Sequence, residues 1–228
     1  MARRRPPCPD PDRYTWVNTE DGGYWRKKRG TGKKARLNDS LQRNANSTDA
    51  VNKAGKLILA MLKPYSKDLQ LGRTFSYLSG MLRKGLNQSG RMDYSFLKDF
   101  DLQPGKKLGR LLTGGFMVRE TPGFVEVDIP IGMGTLDNTG RLVTHFYFDL
   151  VLIEGDARYK KDMRIDSDTS DVYSLEPETS GQCKLRVYPA RTPWMVLLKL
   201  NSIESPTAYT TEAAISPGNY AMKVVAVG

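Results

Sequence analysis

The sequence predicts an α+β protein in which a basic N-terminal arm and a small helical region precede an antiparallel β-sandwich. Three observations predict it: an Arg- and Pro-rich start that cannot bury apolar area, apolar residues at helical spacing in the next segment, and alternation of apolar and polar residues from Gly115 onward. The domains expected are a basic arm with a small hairpin at 1–46, a short helical region at 47–114 and an antiparallel β-sandwich at 115–228.

The arm contains a predicted hairpin. Tyr14–Val17 and Tyr24–Lys27 are rich in aromatic and β-branched residues and flank the turn-forming Asp21–Gly23. Because a two-stranded hairpin is only marginally stable in water, this one needs support from another part of the protein or from a partner.

Two helices are predicted in the middle of the chain. Ser47-Thr48-Asp49 is typical of a helix N-cap, and the first helix ends at Pro64. The second helix covers Arg73–Lys84, with Gly85 as its C-terminal stop, and a third short element covers Tyr94–Phe100.

Strands are predicted in the remainder of the chain, separated by turns at 137–140, 178–181 and 216–219. Their cores are at Val125–Ile129, Leu142–Leu152, Leu185–Val187, Trp194–Leu200 and Tyr220–Val227. Because the long strands all lie after residue 111, we expect residues 111–228 to fold alone.

Charge is distributed unevenly between the two halves. The chain has 228 residues with 35 Lys+Arg and 25 Asp+Glu, a formal net charge of +10. Residues 1–110 hold 24 basic and 10 acidic side chains, and residues 111–228 hold 11 and 15. A basic half of this kind attracts polyanions or the acidic half of another copy.

The strongest candidate binding residues lie in the arm, where seven of the eleven residues at 26–36 are basic. The glycines there suggest a phosphate-binding loop, but Lys27 and Lys34 stand where that motif needs Gly and Ser or Thr. Nearby aromatic rings either stack on unpaired bases or form the hydrophobic face of the hairpin that docks on protein. The predicted nucleic-acid- or partner-binding residues are Arg26, Lys27, Lys28, Arg29, Lys33, Lys34, Arg36, Trp16 and Trp25.

Catalytic and cofactor motifs are weak, and we expect no enzyme, no cofactor and no metal. His145 is the only histidine, so a histidine base or a multi-histidine metal site lacks partners. Asp166, Asp168 and Asp171 have a spacing that calcium uses, but the flanking residues depart from the calcium-loop pattern, and an ordinary turn is the alternative. The two cysteines, Cys8 and Cys183, form no paired motif, which favours a reducing compartment.

No membrane segment is expected. The basic start Met1–Pro7 is followed by no apolar stretch, and the longest apolar run, Leu57–Leu62, is too short to span a bilayer. The expected location is the cytoplasm or a particle assembled there.

Four segments carry a resemblance to known sequences: Gly23–Gly30, Arg43–Asn46, Ala54–Lys56 and Gly218–Val225. In their order along the chain the protein resembles a group of uncharacterised basic proteins of Bacteroidota bacteria and their mobile elements. The resemblance implies no activity for particular residues.

Two functional hypotheses follow from the charge and the missing catalytic motifs. The first is a non-enzymatic structural protein that self-assembles as a filament, ring or shell subunit, with the basic N-terminal half of one copy against the acidic β-sandwich of the next. The alternative is a sequence-nonspecific nucleic-acid-binding or packaging protein whose partner is DNA or RNA.

Overall fold

The computed structural model describes residues 6–8, 10–19, 22–28, 38–66, 74–89, 91–103, 105–132, 134–136, 143–175, 179–204 and 220–228. Its contacts divide the chain into two compact units, Met1–Arg43 and Asn44–Gly228.

The first unit contains the predicted hairpin. Strands β1 (Tyr14–Val17) and β2 (Tyr24–Lys27) pair antiparallel, with Trp16 opposite Trp25. The two strands coincide with the predicted segments, which confirms the hairpin.

Helix α1 (Asp39–Met61) begins eight residues before Ser47. Its cap is Asn38, whose side-chain Oδ1 accepts a hydrogen bond from the Leu41 backbone N–H at 2.8 Å. The predicted start is therefore wrong. Thr48 lies inside the helix, where its hydroxyl donates to the Asn44 carbonyl one turn earlier, at 2.7 Å, instead of capping an end.

Helix α2 (Thr74–Ser89) runs through Gly85, so the predicted stop there is also wrong. A Cβ at residue 85 would lie 2.3 Å from the backbone oxygen of Asp93. Glycine is needed at this position because the following chain passes directly against the helix. Beyond it lie a 3-10 turn at Ser95–Leu97 and the short helix α3 (Leu108–Leu111).

Two antiparallel sheets make up the rest of the second unit, and with the helices they confirm the α+β class. Strands β3 (Met117–Thr121), β4 (Phe124–Ile131), β5 (Val143–Glu154), β6 (Arg164–Thr169), β7 (Tyr173–Ser174), β8 (Gly181–Val187), β9 (Trp194–Glu204) and β10 (Ala221–Val227) follow in order. The central sheet has the order β10-β9-β5-β6, with β7 also pairing with β5, and the three-stranded sheet has the order β3-β4-β8.

The outer edge of β10 is covered by the segment 99–102. The Asp99 and Leu102 N–H groups donate to the carbonyls of Val224 and Met222 at 3.0 and 2.9 Å, and Val224 N–H donates to the Phe100 carbonyl at 2.9 Å. The connection between the helices and the strands thus supplies an extra partner for the last strand.

Two hydrophobic clusters lie on opposite faces of the central sheet. One face packs against the three-stranded sheet through side chains such as Phe148, Leu198 and Val127. The other face contributes Val151, Leu197, Met222 and neighbours to a cluster shared with α1, α2 and the 3-10 turn. The helices and strands on either side of the predicted boundary at 114/115 therefore share one core.

Among the described residues, no helix combines the length and the apolar character needed to cross a bilayer.

Candidate functional site

The predicted aromatic pair forms one face of the hairpin. The rings of Trp16 and Trp25 meet edge to face, with centroids 5.1 Å apart and planes at 70°. Trp16 Nε1 donates to Asn18 Oδ1 at 2.5 Å, and Trp25 Nε1 donates to the Pro6 carbonyl at 3.1 Å. Both rings are half-buried. The pairing and the indole hydrogen bonds hold each ring in place within the unit.

The turn of the hairpin depends on Gly23. Its φ is +118°, and a Cβ there would lie 2.8 Å from the Trp16 ring and 2.6 Å from the Val17 carbonyl oxygen. Glycine at this position allows both the backbone conformation and the approach of the indole ring.

The structure brings only part of the predicted basic cluster beside the aromatic pair. Lys27 shares the face of the two tryptophans, because its partner across the strands is Tyr14, whereas Arg26 lies on the opposite face. Lys28 Nζ donates to the Pro11 carbonyl at 2.9 Å. All three basic side chains are exposed. The remaining predicted residues, Arg29, Lys33, Lys34 and Arg36, lie outside the described residues.

A charged network covers the outer face of the three-stranded sheet. Glu126, which is 5% exposed, lies on β4 between Arg119 of β3 and Arg186 of β8. Arg186 donates to Glu126 from Nε at 3.0 Å and from Nη2, and the nearest approach of Arg119 is 3.7 Å. These hydrogen bonds, and then the charges of Arg186, Lys184 and Arg119, lower the pKa of Glu126.

The same network holds a second carboxylate, Asp128, which is 2% exposed. Arg119 Nη2 lies 3.3 Å from its Oδ2, and Lys184 Nζ lies 3.9 Å from its Oδ1. The Arg186 guanidinium also stacks on the Phe124 ring, 4.6 Å from its centroid. Because the cations are neutralised locally, this face offers a polyanion little uncompensated positive charge.

The second unit carries another basic surface, which the sequence reasoning missed. Lys53, Lys56 and Lys63 on α1 or just after it, and Arg83 and Lys84 on α2, are all exposed. The signal was present in the sequence, because residues 53, 56 and 63 recur at intervals that place them on one side of a helix.

Two of the three candidate calcium ligands, Asp166 and Asp168, accept hydrogen bonds from backbone N–H groups through their side chains, whereas Asp171 accepts one through its backbone carbonyl. Asp168 Oδ2 accepts the Arg186 backbone N–H at 2.8 Å, which links the edge of the central sheet to the edge of the three-stranded sheet. Asp166 Oδ1 accepts the Ser167 N–H at 2.9 Å, and the Asp171 carbonyl accepts the Ser170 hydroxyl at 2.7 Å. Over the part of the chain that the structure describes, no group of three or more His, Cys, Asp or Glu side chains is placed to hold a metal ion.

In the central sheet, the buried Asp149 and the half-buried His145 contact neighbouring polar side chains. The Asp149 carboxylate accepts the Thr169 hydroxyl at 2.9 Å and the Asn201 side-chain amide at 2.8 Å, which ties β5 to β6 and β9. His145 Nδ1 lies 2.9 Å from the Thr144 hydroxyl.

Both cysteines are free thiols. Cys183 lies in the cluster between the two sheets, and burial raises the pKa of its thiol. A buried, protonated thiol is a poor nucleophile.

Comparisons with protein-family models, with curated proteins and with solved structures found no match to this chain.

Proposed function

We propose that the protein is a non-enzymatic structural subunit that self-assembles, with the basic N-terminal half of one copy against an acidic β-sandwich formed by the strands of the next. The product is a filament, ring or shell assembled in the cytoplasm, and the partners are other copies of the chain.

The observation that carries this proposal is the separate hairpin. Each of its strands has four residues, and its contacts place it in a unit distinct from residues 44–228. A two-stranded sheet of this size gains little stability alone, and its aromatic pair and basic residues suit a contact with another subunit.

The charge distribution supports a head-to-tail arrangement. Residues 1–110 have a net charge of +14 and residues 111–228 a net charge of −4. Opposite charges on different surfaces favour a heterologous contact, which closes into rings or continues as filaments.

Light scattering on the full chain tests the proposal. We expect particles several times heavier than the 25.6 kDa monomer, and a monomer when residues 1–36 are deleted. The matched control is Lys160→Gln/Lys161→Gln, which removes two exposed charges outside the arm and leaves assembly intact. A full chain that stays monodisperse and monomeric at high concentration contradicts the proposal.

The second candidate is a sequence-nonspecific nucleic-acid-binding or packaging protein. It is favoured by Lys27, which is exposed on the same face of the hairpin as the tryptophan pair, and by the exposed Arg26 and Lys28 beside it in the chain. With about five phosphate contacts, the affinity for duplex DNA should fall with salt at a log-log slope of about −4. Absence of a gel shift at low salt excludes this candidate.

A further inference from the structure

We infer that the outer surface of the α1–α2 pair binds the phosphate backbone of double-stranded nucleic acid without sequence preference. The surface, here called the helix-pair face, consists of Lys53, Lys56, Lys63, Tyr77, Arg83 and Lys84. The inference rests neither on the self-assembly proposal nor on the hairpin residues.

Each helix separates an apolar side from a basic side. On α1, Val51, Ile58 and Leu62, the last just beyond its end, are buried in the cluster shared with the central sheet, while Lys56 and Lys63 are exposed. On α2, Leu78 and Leu82 are buried in the same cluster, while Tyr77, Arg83 and Lys84 are exposed. Because both apolar sides pack on the same sheet, both basic sides face away from it.

Contacts between the helices bring the two basic sides together. Arg83 Nη2 donates to the Thr48 hydroxyl at 2.8 Å, and a Cβ at Gly55 would lie 3.3 Å from the Phe75 ring. These contacts pair the first half of α1 with the end of α2 and place Lys56 level with the first turns of α2. The helices are therefore antiparallel neighbours, and their exposed basic residues lie on the side of the pair that faces away from the sheet.

Most cations of the helix-pair face have no carboxylate partner in the part of the chain that the structure describes. Within the described residues, only Lys53 of the five has a carboxylate partner, Asp49 at 2.7 Å. The ammonium groups of Lys56, Lys63 and Lys84 form no ion pair there. This contrasts with the outer face of the three-stranded sheet, where Glu126 and Asp128 neutralise the arginines and the lysine. Residues 44–110 as a whole hold 12 basic and 5 acidic side chains.

The spacing of the lysines suits a phosphate backbone. Lys56 is on α1 and Lys63 lies two residues beyond its end in a 3-10 turn, so the two are separated by seven residues of helical chain, or roughly 10 Å. One strand of B-DNA carries a phosphate about every 3.4 Å, so this distance spans about three phosphates. Lysines on the exposed side of a helix contact phosphates as point charges, so the expected binding is independent of sequence.

Fluorescence anisotropy with a labelled short DNA duplex, titrated with the full chain at several salt concentrations, tests the inference. In the triple variant Lys56→Gln/Lys63→Gln/Lys84→Gln, the log-log salt slope should become shallower by about 2.7, which is about 0.9 for each lost phosphate contact. An unchanged melting temperature shows that the variant is folded, because all three substitutions are on exposed side chains.

The matched control is Lys160→Gln/Lys161→Gln/Arg164→Gln, which removes the same charge from exposed positions elsewhere in the second unit. It should leave the slope within experimental error. Equal effects of the two triple variants would overturn the inference, because net charge alone would then explain the binding.

Three further results would also overturn it. The first is loss of all duplex binding on deletion of residues 1–36. The second is a preference for single-stranded DNA that Tyr77→Ala abolishes, since Tyr77 is 51% exposed and can stack on a base. The third is a triple variant that loses self-association in light scattering but keeps its DNA affinity, because the face would then bind protein. Self-assembly that fails while this face still binds DNA would contradict only the self-assembly proposal.

Discussion

The two sheets of the second unit carry different sequence patterns, because one is covered on one side and the other on both. In β4 of the three-stranded sheet, Val125 and Val127 point into the core and alternate with the outward-facing Glu126 and Asp128. In β5 of the central sheet, the run Leu150–Ile153 is apolar and buried throughout. A strand that is covered on both faces therefore lacks the regular alternation of apolar and polar residues.

This difference sets how far the helices and strands depend on each other. The central sheet presents Val151, Ile153, Met195, Leu197 and Met222 to the helices. Burial of one such side chain stabilises a fold by about 1.5–3 kcal/mol. An apolar face of that size needs the helices to cover it from water, and the helices need the same face to bury their own apolar side chains.

The largest effect is expected from removing the helical layer. Residues 111–228 on their own would expose the second face of the central sheet and the edge of β10 that the segment 99–102 covers. Contrary to the expectation from the sequence, we expect this fragment to aggregate or to give an NMR spectrum with poor amide dispersion. Residues 44–228 are the matched control and should give dispersed signals. Well-dispersed amide signals from the shorter fragment would show that the three-stranded sheet and the central sheet fold together without the helices.

A pair of neighbouring leucines on β9 compares the two faces directly. Leu197 lies in the helix-side cluster and Leu198 in the cluster between the sheets, and both are buried. Leu197→Ala and Leu198→Ala should each lower the free energy of unfolding by about 2–5 kcal/mol. In urea, each variant should unfold in one transition, seen together by far-UV circular dichroism and tryptophan fluorescence. Separate transitions in Leu197→Ala would indicate that the helices and the sheets unfold independently.

The hairpin and the long apolar strands could be predicted because short-range patterns define them. Asp21–Gly23 sits between two aromatic segments, and β4, β8 and β9 have clear apolar cores. By contrast, β6 (Arg164–Thr169) was missed because it is a polar strand that pairs with β5 at the end of the central sheet, as far as the structure describes it. Its register depends on that neighbour, which local sequence does not reveal.

Helix ends and the candidate site were harder to predict, for a tertiary reason. Gly85 is typical of a helix stop, yet here it accommodates the backbone of Asp93, and only the folded structure shows that approach. The basic segment at 26–36 could be recognised from the sequence because its charges are clustered in eleven residues of chain. Lys56, Lys63 and Lys84 are spread over two helices, and their proximity depends on how α1 packs against α2.

A smaller effect is expected at the outer face of the three-stranded sheet. Hydrogen bonds from Arg186 lower the pKa of Glu126 from its usual 4.5, so the ionised carboxylate stabilises the folded state above that pH. This contribution is lost as the pH falls through the lowered pKa. Glu126→Gln should be less stable than the unmodified chain at pH 7, and the difference should shrink on acidification. Urea unfolding midpoints of the variant and of the unmodified chain, measured at a series of pH values from 7 downward, check this stability difference.

The control for Glu126→Gln is Glu120→Gln on β3, whose partner Lys98 is 3.7 Å away and whose side chain is well exposed. It should change the urea midpoint little at any pH. A Glu126→Gln variant with the same pH profile as the unmodified chain would mean that the arginines contribute nothing through this carboxylate.

The smallest effect is expected at the rim of the same network. Lys184 is 53% exposed and lies 3.9 Å from Asp128, so solvent screens the pair and Lys184→Gln should change the free energy of unfolding by less than about 0.5 kcal/mol. Asp128 keeps Arg119 at 3.3 Å and is not left as an uncompensated buried charge. Arg119→Gln should cost more, because Arg119 contacts both Asp128 and Glu126. Urea unfolding of the two variants measures the free energy of unfolding that each one loses, and so which loss is larger. An equal loss in both would mean that Asp128 depends on Lys184 as much as on Arg119, although Lys184 is the more distant cation.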